Sequence, residues 1–592
     1  MTEESQADDI TPEPNGETAA DTSNSFNDAE AKPAAGSSTR IEQAAKSQKT
    51  RRRFRWQAGL VIVGLCLLAQ LAVAVVFSDG DIRYGNTYRV FVSVYLVTPL
   101  SAIALGAWWF FFSGLAWKQR FQGLLGAGIA AGLFMGVYQF DGFGGDMLPR
   151  WSPRSFKTRE EQLDDFLKSQ PTTATPTETT VGEPSQSELG PKNSVNATLD
   201  DNAIVVRTGD WPNFRGKDWN STVTDGPELA RDWKQRSPEL VWKHPSGVGW
   251  SSFSVADGLI FTQEQRGERE AIVCYQLATG DQSWVNEEVT LFTETLGGDG
   301  PRSTPTVLNS QVYALGATGI LKCLDGRTGS TIWRTNILKD AEATNLQWAM
   351  AGSPLIVDGK VIVNPGGLND SSLAAYDQKT GEPVWSSGTS PASYSTPQMM
   401  EVDGIRFITI YDGDGVTGYS IDGQLEWHYA WTNQPKIHVA MPLIQGNRVL
   451  VGTAYGIGNS LFEVFKTDNG WDTKSIWEAK SLKPKFNDYV IRNGHVYGLD
   501  SGIMVCIDFE TGKRKWKRGR YGFGQVICAA DLLIVTTEEG EIVLLEATPE
   551  AHRELGRIQA VEGKTWSHPA LVRDLLLVKS ERETACFRLP TQ

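Results

Sequence analysis

The chain has 592 residues, of which 40% are hydrophobic and 21% charged. This composition is typical of a globular protein and excludes a wholly disordered one. The net charge of −14 disfavours nucleic-acid binding, which requires a basic face. The six cysteines form no CxxC pair and no CxxCH motif, so they indicate neither a zinc module nor haem attachment nor a disulfide framework.

The first 48 residues are rich in Glu, Asp, Ser, Thr, Ala and Pro and contain almost no large apolar side chains. Such a segment cannot bury enough surface to offset its chain entropy. We therefore expect residues 1–48 to form a disordered acidic tail.

Three apolar runs follow, at about residues 57–77, 90–112 and 122–140. The first covers the ~30 Å hydrocarbon core of a bilayer at a rise of 1.5 Å per residue. The alternative for this first run is a signal peptide, but its apolar core would be shorter and would end at a small-residue cleavage site. The sequence thus predicts three transmembrane helices within residues 57–140.

The charges of the connecting loops predict the orientation. Five basic residues lie between Lys49 and Arg55, and the second loop carries Lys118 and Arg120 without an acid. The positive-inside rule places both regions in the cytoplasm, and residues after about 141 outside it. Three basic residues beyond the third span argue weakly against this orientation: Arg150, Arg154 and Lys157. We expect a multi-pass protein of the cell (inner) membrane with a cytoplasmic N-terminus.

Residues 141–204 are predicted to connect the membrane part to the rest of the chain. They contain a short helical pattern from Arg159 to Lys168, followed by a Thr/Pro/Ser-rich stretch from Pro171 to Asn202. The composition of this stretch is typical of a flexible tether.

From about residue 240 the sequence repeats. Each unit has a Ser/Thr-x-Pro start, a tight turn, a strand ending in Asp, a Thr-Gly pair and a Trp. The Pro column is occupied by Phe253, Pro305, Pro354, Pro397, Pro442, Tyr489, Val526 and Pro569, with spacings of 37 to 52 residues. That period is typical of a four-stranded propeller blade, so residues 205–592 are predicted to form an all-β, eight-bladed β-propeller.

The Trp column predicts how the ring closes. Trp242 precedes the first unit, whereas the last unit ends at Phe587 and Leu589 without a Trp of its own. We therefore expect the strand around Trp242 to complete the eighth blade, which removes an open sheet edge.

The segment Leu321-Lys322-Cys323-Leu324-Asp325, followed by Thr328-Gly329 and Trp333, resembles the repeat of the PQQ-like (pyrroloquinoline-quinone-like) propeller family. The lead-in Asp210-Trp211-Pro212-Asn213-Phe214-Arg215-Gly216 resembles the segment that precedes such propellers. The resemblance covers about residues 210–590. It implies an eight-bladed propeller found in two groups, PQQ-dependent dehydrogenases and non-catalytic scaffolds similar to the outer-membrane assembly factor BamB.

The resemblance leaves two functions open. In the dehydrogenases it implies PQQ over the central funnel beside Ca²⁺, and in many alcohol-oxidising members a disulfide between adjacent cysteines. This chain has no adjacent cysteines, and its repeats are close to minimal length. We therefore favour a membrane-anchored, extracytoplasmic module without cofactor that binds or scaffolds cell-envelope proteins or peptides. The alternative is a membrane-bound PQQ-dependent dehydrogenase that oxidises an alcohol or sugar.

The sequence predicts no catalytic, cofactor-binding or metal-ligating residues. Asp412-Gly413-Asp414-Gly415 lacks the closing Glu of a calcium loop and is interpreted as a hairpin turn. Four cysteines share one repeat column, which favours packing as small buried hydrophobes over an inter-blade disulfide: Cys274, Cys323, Cys506 and Cys586.

A candidate binding surface lies three residues before the Pro column. There we expect one mouth of the central funnel, formed by Trp250, Arg302, Tyr394, Phe486, Phe523 and Trp566. Aromatic rings beside an arginine suit a peptide strand, a sugar or a planar ring. The alternative interpretation is that these rings only plug the funnel.

Overall fold

A computed structural model describes residues 57–75, 91–154, 157–170, 203–367 and 369–592. The predicted acidic tail and the Pro171–Asn202 tether lie outside these residues. Three helices in the described part are long and apolar enough to cross a membrane: α1 (Gln57–Val75), α2 (Phe91–Phe112) and α3 (Trp117–Val137). The first two are joined by polar contacts, since Gln70 of α1 hydrogen-bonds Ser93 and Thr98 of α2.

The chain leaves α3 directly into a β-hairpin, which we call the juxtamembrane hairpin. It consists of β1 (Tyr138–Phe143) and β2 (Pro149–Pro153), and the helix α4 (Arg159–Ser169) follows it. The sequence interpretation extended the third span to residue 140, whereas the helix ends at Val137. Hydropathy alone does not distinguish the end of an apolar helix from an aromatic strand. The predicted Arg159–Lys168 helix corresponds to α4.

The predicted eight-bladed propeller is confirmed, and each blade is an antiparallel sheet. The first four blades are β5–β8 (Ser254–Ala256, Leu259–Arg266, Arg269–Gln276, Gln282–Val289), β9–β12 (Thr306–Leu308, Gln311–Leu315, Ile320–Asp325, Thr331–Asn336), β13–β16 (Leu355–Val357, Lys360–Val363, Leu373–Asp377, Pro383–Ser387) and β17–β20 (Gln398–Val402, Ile405–Tyr411, Val416–Tyr419, Leu425–Tyr429). A short helix, α5 (Ile337–Asp340), follows the second blade.

The remaining blades follow in chain order, with the ring closed by an early strand. They are β21–β24 (Leu443–Gln445, Arg448–Thr453, Gly458–Thr467, Gly470–Ala479), β25–β28 (Tyr489–Arg492, His495–Asp500, Ile503–Asp508, Arg514–Arg520), β29–β32 (Gln525–Ala529, Leu532–Thr536, Glu541–Glu546, Glu554–Gln559) and β33–β35 (Ala570–Val572, Leu575–Lys579, Glu583–Arg588) with β4 (Glu239–Pro245). A short strand, β3 (Thr222–Val223), adds to the seventh blade in parallel with β29.

The Thr-Gly and Trp positions of the repeat pack against each other between blades. The indole N–H of Trp284 donates to the carbonyl of Gly326 in the next blade at 2.9 Å. A Cβ on Gly329 would overlap the indole of Trp284, and the φ of +73° at this glycine also disfavours larger residues. The repeat therefore needs Gly and Trp together because one blade docks its Trp on the turn of the next.

Ring closure uses the strand that carries Trp242. β4 pairs antiparallel with β35, and Trp242 lies opposite Cys586. The Trp242 indole donates to the carbonyl of Leu277 in the first blade at 2.9 Å. The first and last blades are thus joined by the same contact that joins other blades.

The lead-in segment crosses the central channel. Trp211 exchanges backbone hydrogen bonds with Val255 of the first blade, and the buried Arg215 donates to the carbonyl of Tyr489 in the sixth at 2.8 Å. Ser221 accepts from the backbone N–H of Cys528 in the seventh blade at 2.9 Å. These inner strands belong to three different blades, so the lead-in bridges them along the channel.

Candidate functional site: the funnel mouth

The six residues predicted at the mouth divide into two groups. Trp250, Phe486, Phe523 and Trp566 belong to neighbouring blades and form a continuous row of rings. Their centroids are 4.8 Å apart for Trp250–Trp566, 4.6 Å for Phe486–Trp566 and 5.1 Å for Phe486–Phe523. Phe523 is buried, whereas the other three rings are partly exposed. We call this group the aromatic row.

Arg302 and Tyr394 lie in another sector and contact local segments. The Arg302 guanidinium donates to the carbonyls of Gly298 and Gly300 and lies 5.0 Å from the ring of Phe292. Burial lowers the pKa of Arg302 to about 10. Tyr394 is only 9% exposed and packs against Trp348. The predicted column therefore does not form one uniform surface.

The tip of the juxtamembrane hairpin, residues 143–148, lies on the aromatic row. The backbone N–H of Gly145 donates to Oε1 of Glu538 at 2.6 Å. The same carboxylate accepts from the indole N–H of Trp566 at 3.0 Å and from the backbone N–H of Phe523 at 3.2 Å. Glu538 is 6% exposed, so one buried carboxylate joins the hairpin to two residues of the row.

Two lysines bind the carbonyls of the hairpin tip. Lys485 Nζ donates to the carbonyl of Gly145 at 2.6 Å, and Lys564 Nζ donates to that of Phe143 at 3.1 Å. Lys564 also lies 4.2 Å from the ring centroid of Trp566, in cation–π geometry. Burial lowers the pKa of both lysines, that of Lys485 to about 8. The tip is thus held through its main chain by one acidic and two basic side chains.

The close approach of the tip requires a glycine. A Cβ on Gly145 would overlap the ring of Phe523, so any larger residue would lift the tip or displace the ring. At the neighbouring Gly144, the nearest atom to a Cβ would be a carboxylate oxygen of Asp146 at 3.1 Å. The two adjacent glycines therefore differ in how tightly they contact the row.

The polar face of the hairpin adds ion pairs to the propeller. Arg150 forms a bidentate pair with Glu539 at 2.6 and 2.8 Å, and Asp141 pairs with Arg582 at 2.8 Å. Arg154 donates to the carbonyl of Met135 at 3.3 Å, and Lys157 pairs with Asp165 at 2.5 Å. The basic residues beyond the third span thus all have partners within the chain.

The dehydrogenase alternative would require room for the planar PQQ ring at the mouth. A ring inserted between two aromatic side chains needs about 7 Å between them, twice the ~3.5 Å carbon contact distance. The separations along the aromatic row are below this gap. The two lysines that could meet PQQ carboxylates already donate to hairpin carbonyls. In this arrangement PQQ has no room between neighbouring rings, and the hairpin tip would have to move for PQQ to lie on Phe523 and meet Lys485.

The other candidate groups have structural contacts. Oδ1 of Asp412 accepts from the backbone N–H groups of Asp414 and Gly415, as expected for a hairpin turn. The cysteines of the repeat column are free and buried: Cys274, Cys323, Cys506 and Cys586. Within the described residues no group of three or more His, Cys, Asp or Glu side chains could hold a metal ion.

The sequence interpretation missed Gly145, Lys485, Glu538 and Lys564. One signal was present in the hairpin itself, where aromatic and polar residues alternate from Tyr138 to Asp141 and again from Arg150 to Ser152. This period of two is typical of a half-buried strand. The lysines and the glutamate occupy no repeat column that could have drawn attention to them.

Comparison with known proteins confirms the resemblance to PQQ-like propellers. Residues 269–518 match the family described as outer membrane protein assembly factor BamB. The chain is 22% identical over 261 residues to the BamB of Moranella endobia (41% of this chain, 64% of that protein). It is 24% identical over 324 residues to the quinohemoprotein alcohol dehydrogenase of Comamonas testosteroni (53% and 39%). A third relative, the dehydrogenase subunit of a quinone alcohol dehydrogenase from Komagataeibacter europaeus, is 25% identical over 189 residues (31% and 24%).

The chain spans less than two thirds of the length of each of these curated relatives. Among solved structures, the Comamonas testosteroni quinohemoprotein alcohol dehydrogenase aligns with a TM-score of 0.47 at 14% identity (65% of this chain, 81% of that one). BamB from Moraxella catarrhalis aligns with a TM-score of 0.33 at 15% identity (58% and 86%). The sequence matches show that BamB and the quinoprotein dehydrogenases both share distant similarity with this chain.

Proposed function

We propose that this membrane-tethered PQQ-like repeat propeller is a protein-binding module of the cell envelope, whose funnel mouth binds the main chain of a peptide segment. One observation carries the proposal: the mouth holds a segment of the same chain, the hairpin tip, through its main chain. Glu538 accepts from a backbone N–H of the hairpin tip, and Lys485 and Lys564 donate to its carbonyls. Contacts to backbone groups suit a scaffold because they need no particular functional group on the bound segment, apart from a glycine where it meets Phe523.

The partly exposed rings offer the contact area for a partner. Trp250 and Trp566 lie side by side at the edge of the covered row, and large aromatic side chains dominate the affinity of many protein interfaces. Replacing either with Ala is expected to weaken partner binding about tenfold or more. Tyr394 is buried, so Tyr394→Ala is expected to destabilise the propeller by about 3–5 kcal/mol instead.

The proposal can be tested by photo-crosslinking in cells. A benzoylphenylalanine at Gln347, an exposed position beside Trp348 at the mouth, is expected to give a defined adduct with an envelope protein. The matched control is the same residue at Glu401, which is exposed at the opposite end of the blades. Adducts of equal yield from both positions would contradict binding at the mouth.

The alternative function is a membrane-bound PQQ-dependent dehydrogenase, which two of the relatives' names favour. Titration of the full chain with PQQ and Ca²⁺ distinguishes the two. The scaffold predicts no change in melting temperature and no dye reduction with alcohols or sugars. A saturable, PQQ-dependent rise in melting temperature together with dye reduction would make the enzyme the better assignment.

A further inference from the structure

The juxtamembrane hairpin has an aromatic face that no propeller strand covers. Tyr138, Phe140 and Trp151 are 37%, 46% and 41% exposed. The residues that alternate with them, Asp141 and Arg150 among them, point to the propeller and form ion pairs there. A hairpin on the surface of a soluble protein normally presents polar side chains to water, so this pattern is reversed.

The hairpin is attached to the helices at both of its ends. At its base, Phe134 of α3 contacts Tyr138 and Trp151, with centroids 4.9 and 5.2 Å away. At its tip, Tyr95 of α2 donates its hydroxyl to the carbonyl of Met147 at 2.5 Å. Because α2 begins and α3 ends on the same side of the bundle, the hairpin lies across the ends of both helices.

We propose that the aromatic face of the hairpin binds the headgroup region of the lipid bilayer. Tyr and Trp are enriched at this depth because their rings are apolar and their polar atoms reach water. The location follows from α3, which leads into β1 without an intervening residue. This inference rests on the membrane anchoring in the proposed function.

The contact between the hairpin and the headgroup region also fixes the orientation of the propeller relative to the bilayer. The opposite face of the hairpin is held by Arg582, Glu539 and Glu538, which belong to the seventh and eighth blades. A hairpin that lies flat on the bilayer therefore turns the funnel mouth toward the membrane. The segment bound at the mouth is then expected to lie close to the bilayer surface, such as the juxtamembrane part of another membrane protein.

Spin labelling of the full chain in phosphatidylcholine–phosphatidylglycerol nanodiscs tests the inference. Nitroxides are placed at Phe140→Cys and Trp151→Cys in a Cys66→Ala background, with Ile103→Cys of α2 as the bilayer reference and Glu401→Cys as the aqueous reference. We expect the labels at 140 and 151 to report a depth within ~5–10 Å of the boundary between headgroups and acyl chains. Their oxygen accessibility should lie between the values of the two references.

The outcomes separate this inference from the proposed function. If labels at 140 and 151 are as water-accessible as that at 401 while the label at 103 lies in the bilayer, the hairpin inference is wrong and membrane anchoring stands. A water-accessible label at 103 would instead contradict the anchoring.

A second variant avoids labels in the hairpin. Phe140→Ser/Trp151→Ser keeps the ion pairs to the propeller but removes the aromatic face. Energy transfer from a dye at residue 401 to dyes on the bilayer surface reports the distance of the propeller from the bilayer. In this variant we expect the distribution of that distance to become broader. An unchanged distance distribution would overturn the inference.

Discussion

The two sectors of the funnel mouth occupy equivalent positions of the repeat but are covered in different ways. In the sector of Trp250, Phe486, Phe523 and Trp566, the covering segment is the hairpin that follows α3. In the sector of Arg302 and Tyr394, it comes from loops within about 50 residues of those side chains. The repeat thus fixes where the side chains lie, while the segments outside it determine which of them reach a ligand.

The largest expected difference between the sectors comes from Glu538. In Glu538→Ala, three donors lose their buried acceptor, so we expect a loss of about 3 kcal/mol in the free energy of unfolding. Glu539 is the matched control, because its side chain is 66% exposed and its pair with Arg150 contributes at most about 1 kcal/mol. Chemical denaturation of the full chain measures both, and equal losses would contradict a special role of Glu538.

Lys485 makes the covered sector sensitive to pH. Burial lowers its pKa to about 8 in the folded protein, whereas an unfolded lysine titrates near 10.4. Between these values the unfolded state binds more protons, so the stability contributed by Lys485 rises with pH. We expect the unfolding free energy of the wild type minus that of Lys485→Met to increase by about 2 kcal/mol from pH 8 to pH 10. A difference that stays constant over this range would contradict the burial of the ammonium group.

Gly145 tests how tightly the hairpin tip is seated. Gly145→Ala introduces an overlap with Phe523, so we expect a loss of about 1–3 kcal/mol and faster amide hydrogen exchange throughout residues 138–153. Gly144→Ala should have little effect on exchange in the same segment. Adding Phe523→Ala to Gly145→Ala removes the overlapping ring, so amide exchange in residues 138–153 should become slower again. If it stays as fast as in Gly145→Ala alone, the overlap does not cause the faster exchange.

Replacing Arg302 should have the smallest effect on stability, and the effect should be confined to the sector of Arg302 and Tyr394. Arg302→Leu removes the donors that hold the carbonyls of Gly298 and Gly300, but it also removes a buried charge. Because these contributions oppose each other, we expect a change of about 1 kcal/mol. Amide exchange should increase in residues 290–300 and remain unchanged in the hairpin. An equal increase in both segments would show that the sectors are coupled.

The parts of the fold that could be predicted from the sequence are those that belong to the repeated blade motif. The closing role of Trp242 followed from the missing Trp in the last repeat, and the structure pairs its strand with β35. The contact between Gly145 and Glu538 could not be found in this way, because it joins residues 393 positions apart that belong to no shared pattern. The third span was extended to residue 140 since Tyr138 and Phe140 are apolar enough to continue a helix.

The binding surface at the mouth stays a prediction, and the sequence did not indicate the hairpin that covers part of it. A column three residues before each Pro must lie at one end of the ring, so its aromatic residues were expected together. Which rings touch depends on the identities in neighbouring blades, and the aromatic row joins blades six, seven, eight and one. The aromatic row is covered by the juxtamembrane hairpin. The hairpin lies outside the repeats, so the repeat column three residues before each Pro gives no information about it.

The lead-in across the channel has a mechanical consequence. A pulling force on the N-terminal helices that is borne neither by the hairpin nor by α4, which packs on β4, acts next on the segment of residues 203–223. Its contacts reach Val255, Tyr489 and Cys528 on three different blades. Tension on this segment is therefore distributed over several inner strands at once.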